Sequence, residues 1–90
     1  MTYPLHTEIS GTGDPLVLIH GMGSASSAWK PIRPQLNKEF TVITVDLPGH
    51  GKTPYSKGQP MDPHSLCTYV LDQLSAEGVD RFHLAGNSLG

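Results

Sequence analysis

Three short apolar runs, each ending in a glycine-rich turn, constrain this chain more than any other feature. Leu16-Val17-Leu18-Ile19 runs into His20-Gly21-Met22-Gly23, and Phe40 to Val45 runs into Asp46-Leu47-Pro48-Gly49-His50-Gly51-Lys52-Thr53. The third, Phe82-His83-Leu84-Ala85, runs into Gly86-Asn87-Ser88-Leu89-Gly90. A short unbroken apolar run suits a strand buried on both faces, as in a parallel sheet. Glycine directly after such a strand lets the backbone turn tightly with no Cβ in the way.

The segments between the runs read as helices. Trp29, Ile32 and Leu36 fall at i, i+3 and i+7, and Ser26 or Ser27 can cap the helix that carries them. Pro31 suits a first turn, but Pro34 removes a helical hydrogen bond, so this helix is expected to be short or bent. Asp62-Pro63 reads as N-cap and first helical residue, Leu66, Val70 and Leu74 share one face with Tyr69 beside them, and Gly78 stands just past the end. A first strand is expected over Leu5 to Ser10, with Gly11-Thr12-Gly13-Asp14 supplying a hairpin-like return. Strand, strand, helix, strand, helix, strand predicts an α/β fold: a mostly parallel sheet with crossover helices, in one domain over residues 1–90.

Composition narrows the function classes. With 37% hydrophobic residues, 16% charged and a formal net charge of −2, the chain has no field to draw nucleic acid or an anionic membrane. No apolar stretch approaches a membrane span, and Met1 to Glu8 lacks the basic start and apolar block of a signal peptide. Cys67 is the single cysteine, so an internal disulfide is impossible; the default expectation is cytoplasmic. Cys67 is expected to pack on its helix, and Lys52 and Lys57 to be solvated loop charges.

Gly86 to Gly90 spells G-x-S-x-G after a strand, the pattern of a serine on a sharp strand-to-helix turn. Three fixed positions match by chance in roughly 3% of chains this long, so the pentapeptide alone decides little. Together with the other two turns, it resembles the α/β-hydrolase superfamily over nearly the whole chain, from about Tyr3 onward. His20-Gly21-Met22-Gly23 resembles that family's oxyanion loop, Asp46 to Thr53 its D-x-x-G-x-G loop, and Gly86 to Gly90 its nucleophile elbow, in the family's order.

The resemblance implies a serine hydrolase with Ser88 as nucleophile, acting on a small ester, thioester, lactone or C–C acyl substrate through an acyl-enzyme. Two backbone N–H groups, of Met22 and Leu89, would hold the oxyanion. No metal or organic cofactor is implied. In the family the acid and histidine follow the serine, so the chain is expected to be the front third of a hydrolase, truncated after the elbow and inactive alone. The five histidines present are not expected to be the base: His20 serves the oxyanion turn, His50 braces its own loop, and His6, His64 and His83 lie in a first strand, an exposed helix start and a buried strand. Asp46 is expected to be a structural loop acid.

Three rival readings remain open. The same fold can bind a small ligand without turning it over, and it can transfer an acyl group to an alcohol or thiol instead of water. More remotely, Gly21-Met22-Gly23 opening a helix, with Asp46 25 residues after Gly21, resembles a dinucleotide-binding βαβ unit; Ser26 then stands where the third glycine belongs.

Overall fold

The apolar run before the first glycine turn forms the middle of the sheet. The computed structural model describes residues 3–87. Within them, β1 (Thr7–Gly11), β2 (Asp14–Ile19), β3 (Phe40–Val45) and β4 (His83–Gly86) form one sheet in the order β1-β3-β2-β4. β2 is parallel to β3, with Val17 beside Ile43 and Ile19 beside Val45, and parallel to β4, with Ile19 beside Gly86. β1 runs antiparallel to β3 from Thr7↔Val45 to Gly11↔Thr41. The sheet is mostly parallel, as expected.

The hairpin-like return does not form. β3 lies between β1 and β2, so the two strands flanking the Gly11–Asp14 turn are not neighbours. The turn is shaped for β3's entry beside it. Gly13 has a φ of 120°, and a Cβ there would strike the Glu39 carbonyl where the chain enters β3. Glycine at position 13 thus permits this close approach of the chain entering β3, which lies between β1 and β2.

One 14-residue helix, α2 (Pro63–Ala76), covers one face of this sheet. Asp62 caps it: its Oδ2 accepts from the Ser65 N–H at 3.1 Å and its Oδ1 from the Ser65 hydroxyl at 2.7 Å. Asp62→Ala is expected to cost about 1 kcal/mol, read from the urea midpoint. The helix presents Leu66, Tyr69, Val70 and Leu74 to Val17, Ile19, Ile43 and Val45. Val17, Ile43 and Val45 are wholly buried and Leu74 nearly so. Leu74→Ala is expected to destabilise by about 3–4 kcal/mol, the usual cost of a leucine-sized cavity in a packed core. Cys67 lies one residue past Leu66, off this face, and is exposed instead of packed.

The opposite face carries the weaker helical signal. A single 3₁₀ turn spans Ser26–Trp29, and a four-residue α1 (Arg33–Leu36) follows, with Pro34 in its first turn. The expected serine cap is absent: Ala25 stands at the N-cap, Ser26 is the first residue of the turn, and its N–H donates to the Asp46 carboxylate instead. Arg33 holds α1 to the sheet through the Ser10 and Thr44 hydroxyls. β4 is exposed along its length, with Leu84 63% accessible, because only β2 pairs with it among the described residues. His83 is therefore exposed, not buried as expected.

Candidate catalytic loops

Parallel pairing of β2, β3 and β4 brings their C-terminal ends, and so the first two glycine turns and the Gly86 end of β4, to one end of the sheet. The Asn87 N–H donates to the Ile19 carbonyl at 3.2 Å, so the chain leaves β4 beside the start of the His20 turn. Ser88 and Leu89 lie outside the described residues. Met22 lies within them, on the turn after β2. Its side chain is half exposed, and its N–H makes no hydrogen bond among the described residues.

The neighbouring peptide groups are taken. His20 is 1% exposed, and its Nε2 accepts from the Leu47 N–H at 3.0 Å. A backbone N–H can only donate, so the His20 proton sits on Nδ1, 2.8 Å from the Gly21 carbonyl to which it donates. His50 repeats the pattern: Nε2 accepts from the Gly23 N–H at 2.9 Å, and Nδ1–H donates to the Pro48 carbonyl at 2.9 Å. The two rings lie 5.0 Å apart, centroid to centroid. His50 does brace its own loop, but it also reaches across to the other one. The sequence showed the histidine without showing that partner.

Asp46 joins the same loops from below. It is 2% exposed; Oδ1 accepts from the Ser26 N–H at 2.7 Å and Oδ2 from the Lys52 N–H at 3.1 Å. Burial pushes its carboxyl upward, but those two N–H groups, the Ser26 hydroxyl and nearby His6 outweigh burial and hold it below the usual 3.8. Gly51 crosses over this carboxylate with a φ of 51°, and a Cβ there would run into the Asp46 side chain. Gly51→Ala is expected to destabilise by about 1–3 kcal/mol in a urea melt, from left-handed strain plus displacement of the carboxylate. Sequence reasoning placed Asp46 as a structural acid, and its bonds are of that kind. A carboxylate held this way is not open to a ribose, which removes the basis of the dinucleotide reading.

A mainly parallel sheet with glycine turns at the C-terminal ends of β2 and β3 fits an α/β-hydrolase scaffold. A model of the alpha/beta hydrolase family matches residues 16–90, and the chain belongs to that family. It is 45% identical over 86 residues to a pimeloyl-[acyl-carrier protein] methyl ester esterase of Legionella pneumophila (strain Corby), covering 96% of this chain and 32% of that protein. It is 32% identical over 80 residues to an (E)-2-((N-methylformamido)methylene)succinate hydrolase of Acinetobacter baylyi, covering 89% of this chain and 30% of that one. A solved hydrolase structure from Pseudomonas aeruginosa superimposes with a TM-score of 0.89 at 32% identity, over 96% of this chain and 33% of the other. The chain thus spans about a third of the length of the curated relatives it matches.

Proposed function

We propose that this chain carries the nucleophile and both oxyanion donors of an esterase-type serine hydrolase. The observation that carries the proposal is the Met22 N–H, which has no partner among the described residues, on a turn whose next N–H is already tied to His50. A free donor beside the strand end that leads into Ser88 is what an oxyanion site needs; losing one such donor costs about 3–4 kcal/mol in a serine hydrolase. Ser88 Oγ would attack the acyl carbon, passing its proton to a histidine from beyond these residues. The tetrahedral oxyanion would rest on the Met22 and Leu89 N–H groups. The alcohol would leave with that proton, and water, deprotonated by the same histidine, would release the acid.

Serine at the nucleophile position favours acyl chemistry over epoxide opening or dehalogenation, which use aspartate there. The Legionella relative's name makes methyl esters of carboxylic acids the first substrates to try. No helix among the described residues is long and apolar enough to cross a membrane, and a cytoplasmic enzyme without nucleic-acid or membrane partners is part of the proposal. A polypeptide of these 90 residues alone is expected to turn over no ester. Turnover by it that Ser88→Ala removes would overturn that expectation.

The test is covalent. A fluorophosphonate probe applied to the protein encoded by the longest reading frame containing this chain should add one phosphonyl group, with loss of fluoride, on the peptide carrying Ser88. Ester hydrolysis with the label elsewhere would sink the assignment.

A further inference from the structure

We infer that His50 is a positioning residue, which together with His20 clamps the two peptide planes flanking Met22 and so aims the Met22 N–H. The inference rests on the oxyanion role proposed for Met22. Peptide groups are planar, and no cis peptide bond occurs among the described residues. The Met22 N–H belongs to the peptide whose carbonyl is that of Gly21. That carbonyl accepts from His20 Nδ1–H and from the Ser24 N–H at 3.0 Å, so the Met22 N–H on the same plane points the opposite way. The next plane carries the Gly23 N–H, and His50 Nε2 holds it. Fixing both planes fixes the rotation about the Met22 Cα, leaving one N–H bound and its neighbour presented.

The two histidines also tie the His20 turn to the loop after β3, His20 by accepting from the Leu47 N–H and His50 by accepting from the Gly23 N–H. His20 is buried, while His50 is only partly so. His50 can therefore be changed with little loss of core. Its ring does this work only with Nε2 unprotonated, because an imidazolium offers two donors and no acceptor.

Two measurements on the whole protein test this. Long-range ¹H–¹⁵N spectra of the imidazoles, with the His50 signals assigned by their loss in His50→Gln, should show the Nδ1–H tautomer for His50. An Nε2–H tautomer would overturn the tie itself, whatever the protein catalyses. With p-nitrophenyl acetate, His50→Leu should lower kcat about 10–100-fold with KM within about threefold, as misplacement of a transition-state donor requires. His50→Gln, which keeps an acceptor near the Nε2 position, should recover most of that loss. Equal losses in the two variants at equal melting temperatures, or a change confined to KM, would overturn the positioning role. Absence of any Ser88-dependent hydrolysis would remove the esterase reading and the positioning role with it, leaving only the tautomer result standing.

Discussion

Ser88→Ala in the whole protein is expected to lower kcat for ester hydrolysis on the order of 10⁴–10⁶-fold, with the melting temperature unchanged. A hydroxyl nucleophile acts as a unit with its base, so removing the oxygen also idles the histidine that would deprotonate it. What would remain is binding plus the two proposed oxyanion donors, and such groups alone give a residual rate above water. KM should change little, since Ser88 Oγ makes its bond during reaction and not in simple binding. A drop of less than about tenfold would mean that another group carries the chemistry.

The second large effect falls on stability. Asp46→Ala is expected to destabilise the protein by about 2–4 kcal/mol in urea, because two charge-assisted bonds vanish and the Ser26 and Lys52 N–H groups lose their acceptor. Asp46→Asn keeps one carbonyl oxygen and should lose roughly half as much. The pH dependence carries a fixed sign. The folded carboxyl is held below 3.8, so its stabilisation is present above the unfolded value and is lost as pH falls through the folded one. Wild type should therefore lose this contribution below about pH 4, and Asp46→Ala should show a shallower acid limb in the same range. Identical limbs in the two proteins would show that the carboxylate is not held as described.

Much of the fold was legible because its signals were local. The β3 run, the Asp62-Pro63 start and the Leu66–Leu74 face each depend on residues within a few positions of one another, and the structure has them where expected. Pairing was not local. Nothing in Gly11 to Asp14 shows that a strand 26 residues after β2 begins will enter between its neighbours; that is a long-range pairing, which the Gly13 approach to the Glu39 carbonyl permits. Exposure of His83 and Cys67 was misjudged for a related reason, since burial depends on what covers a strand or a helix flank. At the candidate site the residue types were visible but not their partners. His20, His50 and Asp46 were each recognisable as loop residues, while the bonds joining one loop to another appear only when the strand ends lie side by side.

The strand order also sets a schedule for synthesis. β2 emerges from the ribosome early, yet its first partner, β3, comes after the Trp29–Leu36 segment, and its second, β4, waits until residue 86 is made. Chains grow at about 5–20 residues per second, so the central strand spends seconds with an open flank. Pairing residue 16 with residue 83 also closes a long loop, which makes this the slow contact of the sheet. The nascent chain thus holds the apolar β2 strand half-paired from the completion of β3 until β4 is made, and that interval is when a chaperone would have most to bind.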